Sequence, residues 1–345
     1  MTSARALPAT ISSALLLIGL GTGIGAGPVL AQKPPRAPTV VWSSDLAAAL
    51  GTGLAVTSVA ADKRAVFAGT TSGDVVASEP SDGSIRWVTF VDAVLAASVE
   101  VSSVATGDGA TVAGASNGGV VAMDASTGEV RWVTDVAGVL GAPLAVSAVS
   151  VGGGAVAAAT SDGRVVSLDA ATGEVRWTTD LSGYLGMLLG ATAVASGKDV
   201  LAVGTSIGRI AVLDPAVGSV RWVTDLSGVT GVDLSVSAAT VTKDTVLAGT
   251  SAGWVAATAA STGLVHWRTD LAGALGSPLD VTGAAAAKDV AFASTSTGAL
   301  ASLSLADGSV RSTLPIVPGD AILGIASVKS GVYAGTSAGV LLAVG

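Results

Sequence analysis

The sequence predicts an all-β fold: a seven-bladed β-propeller of 45-residue, four-stranded blades, closed by pairing of the N-terminal strand with the C-terminal blade. Three observations support this prediction. Six tryptophans recur at intervals of 45 residues, namely Trp42, Trp87, Trp132, Trp177, Trp222 and Trp267. Each unit divides into four short runs rich in Val and Ala, separated by Gly, Asp, Ser and Thr. Seven such units account for the chain after its first 38 residues.

The N-terminal 38 residues differ from the repeats. Arg5 precedes an uncharged stretch from Ala6 to Ala31, which contains a short apolar run and ends on small residues. This pattern predicts a secretory signal peptide over 1–31, cleaved after Ala31. An uncleaved anchor is the alternative, although five glycines between positions 19 and 27 make a poor membrane-spanning helix. Residues 32–38 contain three prolines and predict an extended linker, so the propeller would occupy residues 39–345.

The unit after Trp132 shows the predicted strands of one blade. Its four runs are Ala145 to Val151, Ala155 to Thr160, Arg164 to Leu168 and Glu174 to Asp180, and turn residues such as Ser161-Asp162-Gly163 separate them. Helical repeats of the same period would need apolar residues at a spacing of 3.6 over ten or more positions, and the glycines prevent this. Four short strands in a period near 45 are typical of a propeller blade.

The two ends of the repeat region predict how the ring closes. The first Trp strand, Val40 to Asp45, has no three-strand set before it, and the last set, from Ile322 to Val344, has no Trp strand after it. The seventh position of the Trp register is Ser312. We therefore expect the first strand and the last set to form one blade together.

Composition and charge exclude several kinds of function. The chain has 17 basic and 25 acidic residues, and a net charge of −8 opposes the phosphate attraction behind most nucleic-acid binding. It contains no cysteine, which removes thiolate nucleophiles and cysteine zinc sites. Its single histidine, His266, occupies the arginine position beside Trp267, and we expect it to be a surface substitution without a catalytic role.

One repeated segment resembles a known family. The residues from Asp124 to Asp135 (DASTGEVRWVTD) recur from Asp169 to Asp180 (DAATGEVRWTTD). This segment resembles the tryptophan-docking repeat of the pyrroloquinoline-quinone-like propellers, a family that includes quinoprotein dehydrogenases and the outer-membrane assembly propeller of Gram-negative bacteria. The resemblance covers residues 39 to 345. It implies that the six registered tryptophans, Trp42, Trp87, Trp132, Trp177, Trp222 and Trp267, dock against the adjacent blade.

The residues themselves support the same structural role. Large flat side chains at one fixed strand position, in a protein with only 12 aromatic residues, should supply packing between blades. Stacking on a ligand is the alternative for these six. Trp254 lies outside the register, just after Gly253, and is the one tryptophan that we consider a candidate ligand contact.

The sequence differs from the enzymes of that family in residues that their catalysis needs, and these differences argue against catalysis. An active quinoprotein dehydrogenase would need carboxylate and amide ligands for calcium, a catalytic Asp and commonly two adjacent cysteines, whereas this chain has one asparagine, four glutamates and no cysteine. Most aspartates, and arginines such as Arg86 and Arg131, recur at fixed repeat positions, which indicates structural roles in turns and at sheet edges. A ring of these arginines that binds anions is the alternative. We expect no catalytic residues, no cofactor and no metal site.

The connections that follow the Trp strands predict an interaction surface. They are apolar for loops, as in Ala137 to Leu144, Ser182 to Leu189 and Ala272 to Leu279, and all of them should emerge on one face. The alternative is that these side chains fold inward and plug the mouth of the channel. The candidate interaction residues are Leu140, Leu144, Tyr184, Leu185, Leu188, Leu275, Leu279 and Trp254.

Together these observations predict a secreted or periplasmic, non-enzymatic propeller that acts as a protein-interaction scaffold. Its partner would be a protein bound at the apolar loop face, not nucleic acid, and the same face would also suit peripheral membrane contact. We expect a monomer. The alternative is a small-ligand protein, binding a quinone or a sugar, or a degenerate quinoprotein dehydrogenase, which would use Trp254, Asp233, Asp280 and Asp320 near the same face.

Overall fold

Seven antiparallel sheets of four strands form a ring in the computed structural model, which describes residues 39–51, 53–329 and 331–345. This arrangement confirms the seven-bladed β-propeller. The expected signal peptide (1–31) and the linker (32–38) lie outside the described residues.

Each blade consists of four strands that follow one another from the inside of the ring to its outer edge. The chain opens with β1 (Val40–Asp45), which belongs to the last blade. Blade 1 contains β2 (Val56–Ala61), β3 (Val66–Thr70), β4 (Asp74–Ser78) and β5 (Ile85–Phe90). Blade 2 contains β6 (Val101–Gly107), β7 (Ala110–Ala115), β8 (Gly119–Asp124) and β9 (Val130–Asp135). Blade 3 contains β10 (Val146–Gly152), β11 (Ala155–Thr160), β12 (Arg164–Asp169) and β13 (Val175–Asp180).

The remaining blades repeat this order. Blade 4 contains β14 (Ala191–Ser196), β15 (Leu201–Thr205), β16 (Arg209–Leu213) and β17 (Val220–Asp225). Blade 5 contains β18 (Val236–Val241), β19 (Thr245–Thr250), β20 (Trp254–Ala259) and β21 (Val265–Asp270). Blade 6 contains β22 (Val281–Ala287), β23 (Val290–Thr295), β24 (Ala299–Ser304) and β25 (Val310–Pro315). Blade 7 contains β26 (Ile322–Val328), β27 (Gly331–Thr336), β28 (Val340–Val344) and β1.

The ring closes as the sequence predicts, through pairing of β1 with β28. Their register places Trp42 opposite Ala343 and Asp45 opposite Val340. Just beyond the strands, the Thr39 N–H donates to the Gly345 carbonyl at 2.9 Å, and the Gly345 N–H donates back to Thr39 at 3.0 Å. The first strand thus supplies the outer edge of blade 7.

The hydrophobic core lies between neighbouring sheets. Seven clusters of buried Val, Ala, Leu and Ile side chains each combine residues of two adjacent blades. Each innermost strand also carries a β-bulge near its second residue. At this position Thr57 donates to the Val101 carbonyl of the next blade at 2.5 Å, and Thr192 donates to Val236 at 2.5 Å. The bulge therefore supports a polar link between adjacent inner strands.

The six registered tryptophans pack between blades. Each indole N–H donates to a carbonyl 38 residues later, in the turn between the third and fourth strands of the next blade, at 2.9–3.3 Å. A glycine of the same turn lies against each ring. A Cβ at Gly128 would come within 2.7 Å of the Trp87 ring, and one at Gly173 within 2.6 Å of Trp132. The contact therefore requires glycine, and this explains the glycine in the repeated segment.

A second motif, Gly-Thr-Ser-x-Gly, recurs at residues 204–208, 249–253 and 335–339, with variants such as that at Gly114, and it also has a structural role. Its first glycine permits close approach of two blades, since a Cβ at Gly114 or Gly204 would overlap a valine of the next inner strand. Its threonine hydroxyl closes the turn, as Thr205 Oγ1 does for the Arg209 N–H at 3.0 Å. Its serine accepts the backbone N–H that leads into the inner strand, as Ser206 does from Gly190 at 2.9 Å.

Six of the seven connections that follow outer strands contain a short helix, and the seventh, the described residues 316–321 after β25, contains bends and turns instead. In the described residues the helices are α1 (Leu46–Leu50), α2 (Val91–Leu95), α3 (Val136–Leu140), α4 (Leu181–Leu185), α5 (Leu226–Thr230) and α6 (Leu271–Leu275). Five begin after an aspartate whose carboxylate accepts the N–H three residues later at 2.8–2.9 Å. The same five end at a glycine in the left-handed conformation. The aspartates at this repeat position thus cap helices, a more specific role than the roles in turns and at sheet edges expected from sequence.

Candidate functional site

The candidate site is the helix face, the end of the ring formed by α1–α6 and by the turns between second and third strands. Helix and turn are joined within each blade: the Val136 N–H at the start of α3 donates to the Gly118 carbonyl at 3.0 Å, and Leu181 donates to Gly163 at 3.0 Å. The first residue of every helix is fully buried. The face is therefore fixed to the blades rather than carried on free loops.

Several of the expected interaction residues point into the protein. Leu144 and Leu279 are buried, at 7% and 5% exposure. Leu140, Leu185 and Leu275 end their helices half-buried against the interblade cores. Leu144 and Leu279 thus add no surface to the helix face, because the chain turns there into the next inner strand. These leucines therefore pack into or against the cores between blades.

The exposed apolar surface is concentrated beside α4. Tyr184 is 61% exposed, Met187 42% and Leu188 94%, whereas the next residue, Leu189, is buried at 7%. Elsewhere on the face, exposed valines include Val139 within α3 and Val232 after α5. We call the group Tyr184, Met187 and Leu188 the α4 patch. Exposed clusters of large apolar side chains commonly mark contact sites.

Trp254 begins β20 on this face and is half-buried against the core between blades 4 and 5. The Arg268 guanidinium carbon lies 5.8 Å from the centre of its ring, within the range of a cation–π contact. Arg268 also donates a hydrogen bond to the Val229 carbonyl of α5. These contacts hold Trp254 in place and leave part of its ring at the surface.

Two arginines share the repeat position of Trp254, and sequence reasoning missed them. Arg164 begins β12 and Arg209 begins β16, at successive intervals of 45 residues before Trp254. Arg164 contacts Asp162 at 3.3 Å and donates to the Leu140 carbonyl at 3.3 Å, while Arg209 lies 3.9 Å from Asp225. The sequence does contain a signal that identifies them, because the residue at this position differs from blade to blade while the neighbouring positions repeat.

A cavity of about 540 Å³ opens next to the α4 patch. Met187, Arg209, Asp225 and Asp233 contribute to its lining. Asp280 lines a second cavity of about 500 Å³, and Ser251 contributes to both. The structure therefore brings Asp233 and Asp280 to neighbouring cavities. Asp320 is in blade 7, where it accepts hydrogen bonds from Ser337 and from the Ala338 N–H at 3.1 Å.

Asp74, at the start of β4, carries a buried carboxyl group on the helix face that sequence reasoning also missed. The side chain is 5% exposed, and Ser72 donates a hydrogen bond to it at 2.5 Å. Desolvation raises the pKa of Asp74 above its usual value, the neighbouring Asp92 raises it further, and the hydroxyl groups only partly offset this. The burial of this carboxyl group is evident only in the folded structure and not in the sequence.

The recurring arginines of the outer strands are paired. Arg131 contacts Asp124 at 2.7 Å, and Arg176 contacts Asp169 at 2.7 Å; Arg86, Arg221 and Arg311 also have acidic partners. The hydrogen bond from Arg176 is the largest influence on Asp169 and lowers its pKa to about 2. The pairs keep the outer strands charged and solvated, and each guanidinium already has an anion. His266 lies exposed at this position on β21.

Within residues 39–51, 53–329 and 331–345, no group of three or more His, Cys, Asp or Glu side chains could hold a metal ion. Likewise, none of the helices found there is long and apolar enough to span a membrane.

The family model described as outer membrane protein assembly factor BamB matches residues 35–183 and 95–314. BamB from Moraxella catarrhalis resembles the chain with a TM-score of 0.60 and 18% identity, over 90% of this chain and 98% of that one. The computationally designed Ika8 protein resembles it with a TM-score of 0.60 and 15% identity, over 88% and 98%.

The curated proteins contain no match to this sequence. At these identities the likeness to solved structures shows the fold alone. The family model, in contrast, covers well over half of the chain. The chain therefore belongs to the family of PQQ-like propellers described as outer membrane protein assembly factor BamB.

Proposed function

We propose that this chain is a non-enzymatic scaffold of the cell envelope that binds a protein partner through its helix face. The observation that carries the proposal is the α4 patch, where Tyr184 on α4 and Met187 and Leu188 just after this helix are exposed. Large apolar and aromatic side chains in a preformed position are typical centres of protein interfaces. The family description, an assembly factor, agrees with this role.

The proposal includes the chemistry of the partner. The α4 patch offers an apolar centre, while Arg209, Asp225 and Asp233 line the adjoining cavity with both signs of charge. A partner segment with one or two large apolar side chains, flanked by polar residues, fits such a surface. We further propose export of the chain with cleavage after Ala31 and a monomeric state; the N-terminal sequence pattern supports export.

We propose no catalytic activity because of the side chains that the sequence offers and the roles that they have. The sequence has no cysteine and one histidine, which lies exposed on an outer strand. The repeated aspartates and arginines are used in caps, turns and ion pairs, as in Asp180 with the Gly183 N–H and Arg176 with Asp169.

A small polar ligand is the second candidate function. The cavity of about 540 Å³ that Asp233 lines falls within the size range of ligand pockets, and its serines, Arg209 and aspartates suit the hydroxyl groups of a sugar. Titration with mono- and disaccharides, with Asp233→Ala as the variant, tests this candidate separately.

Site-specific photo-cross-linking in cells tests the scaffold proposal. A photoreactive residue at Leu188 should capture one recurrent protein. The matched control is Leu264, an apolar residue that is 70% exposed in a turn at the opposite end of the ring. The captured protein, once purified, should bind the chain at least tenfold more weakly when Tyr184 and Leu188 are replaced by Asp. Absence of an adduct at Leu188, or equal capture at Leu264, would contradict the proposal.

A further inference from the structure

The seventh position of the tryptophan register holds Ser312, which faces blade 7 from β25. Its hydroxyl pairs with that of Ser302 at 2.7 Å. At this position the other six blades carry an indole that fills the space beside the next blade. The serine is much smaller, so this interface lacks a side chain that its six counterparts possess.

A cavity of about 280 Å³ lies at this position between blades 6 and 7. One wall is the row of cross-strand partners Phe292, Ser302 and Ser312, and the other includes Val332 and Val344 of blade 7. The lining is mainly apolar. Exposed residues, Lys329 and Gly345, also contribute to it, so the cavity is open to solvent.

The equivalent row in blade 1 shows what this space holds elsewhere in the protein. There Phe67, Ala77 and Trp87 are the cross-strand partners, and the Trp87 ring lies 5.8 Å from the Phe67 ring at 42°. Phe67 and Phe292 occupy the same repeat position, five periods of 45 residues apart. Phe292 therefore faces the cavity with the geometry that pairs with an indole in blade 1.

The closure of the ring explains why blade 6 differs from its neighbours. In the other blades the indole N–H donates to the turn that joins the third and fourth strands of the next blade. In blade 7 these two strands are β28 and β1, which come from opposite ends of the described chain and are joined by pairing alone. A tryptophan at position 312 would have no such turn to bond.

We propose that this cavity is a binding site for a neutral aromatic group of indole size. A dry apolar cavity of about 150 Å³ can hold a benzene ring, so the larger cavity here suits a bicyclic one. Phe292 offers the tilted ring contact, the valines offer apolar walls, and the opening at Lys329 and Gly345 provides access. The aromatic group reaches the site either as a free compound or as a side chain of an extended peptide. This inference does not depend on the helix-face proposal.

Titration with 5-fluoroindole, followed by fluorine NMR and calorimetry, tests the site on the mature chain. The wild-type protein should bind one equivalent. Ser312→Trp places the chain's own indole in the cavity, and it should weaken binding at least tenfold and raise the melting temperature by a few degrees. Thr313→Trp is the matched control, because Thr313 is exposed on the same strand with its side chain on the opposite side. It should bind like the wild type.

A second variant and a second probe complete the experiment. Ser302→Leu fills the cavity from the middle strand and should also abolish binding, which keeps the test valid if Ser312→Trp folds poorly. The peptide VRWVTD, a copy of Val130–Asp135, is compared with VRAVTD. If VRWVTD competes with 5-fluoroindole and VRAVTD does not, the result supports an aromatic side chain of a peptide as the occupant. If 5-fluoroindole binds and VRWVTD does not compete with it, the result supports a free compound. No binding of either probe, or binding that survives in both filled variants, overturns the proposal.

Discussion

At the scale of single residues, each registered tryptophan joins two blades through one hydrogen bond and one ring contact. After five of the six tryptophans, a threonine two positions later adds a second bond to the same turn, as Thr134 does to the Gly173 carbonyl at 2.7 Å. In six of the seven blades one side chain thus satisfies a turn carbonyl and covers the glycine that the turn requires. Residues that repeat at the same place have structural roles here, whereas positions that vary, such as that of Arg164, Arg209 and Trp254, differentiate the blades.

The buried carboxyl group of Asp74 gives a prediction at this scale. Because its pKa is raised in the folded protein, the ionised form destabilises the fold at pH values above that pKa, and the penalty disappears as the pH falls towards the unfolded value of 3.8. Asp74→Asn should therefore raise the melting temperature at pH 7, and the gain should shrink as the pH is lowered to 4. Thermal unfolding across this pH range measures the effect.

Asp82→Asn is the matched control for Asp74. Asp82 is exposed, and hydrogen bonds from the backbone and side chain of Ser84 lower its pKa. Its contribution has the opposite sign: it is present above pH 3.8 and is lost as the pH falls through the folded pKa. We expect no gain for this variant at pH 7. A gain for Asp74→Asn that is independent of pH would show that burial of the charge is not the cause.

At the scale of elements, the helices of the helix face are short and depend on their ends. A five-residue helix has few internal hydrogen bonds, so a cap at each end accounts for much of its stability. In α2 both ends depart from the pattern: Phe90 precedes the helix without a side-chain cap, and Ala96 follows it in the left-handed conformation at φ 50°. The other five helices have an aspartate and a glycine at these places.

We predict that Ala96→Gly stabilises the protein by about 1 kcal/mol, because glycine adopts positive φ without the steric cost that alanine pays. Gly186→Ala, at the same place after α4, should lower the free energy of unfolding by a similar amount. No atom lies within 4 Å of a Cβ at Gly186, so the backbone conformation alone sets this cost. Urea denaturation measures the change in the free energy of unfolding for both variants. Changes of the same sign in the two variants would refute the explanation.

At the scale of the whole molecule, the ring is held closed by β1 on β28 without a covalent turn. Thr39 and Gly345 exchange two backbone hydrogen bonds just beyond these strands. Blade 6 and blade 7 also enclose the cavity at Ser312, so the closing region combines non-covalent pairing with a less filled interface. Opening of the ring should begin there.

A disulfide between Thr39→Cys and Gly345→Cys should therefore stabilise the protein by about 2–4 kcal/mol. Residues that exchange both hydrogen bonds in an antiparallel pair lie at a Cα separation that a disulfide can span. The chain has no other cysteine, so the engineered pair has no competitor. Melting of the oxidised protein should occur at higher temperature than melting of the reduced protein or of Thr39→Cys alone. Equal melting with a fully formed disulfide would show that unfolding starts elsewhere.

The sequence by itself determined the number of blades, their four strands, the closing pair and the structural position of the tryptophans. It could do so because the turn residues, the glycines and the pattern of apolar residues recur at the same positions in the repeats. Each of the seven repeats therefore predicts the same local structure. It also placed His266 at the surface, since that residue stands in for a repeated arginine.

Only the tertiary structure decided which apolar residues are available on the helix face. Leu188 and Leu189 are neighbours in one apolar segment, yet one is 94% exposed and the other 7%. Composition cannot separate them, because the difference depends on where α4 ends and the chain turns into blade 4. The cavity at Ser312 and the burial of Asp74 were hidden for the same reason: each arises from the meeting of segments distant in sequence, and packing and desolvation exist only once those segments are in contact.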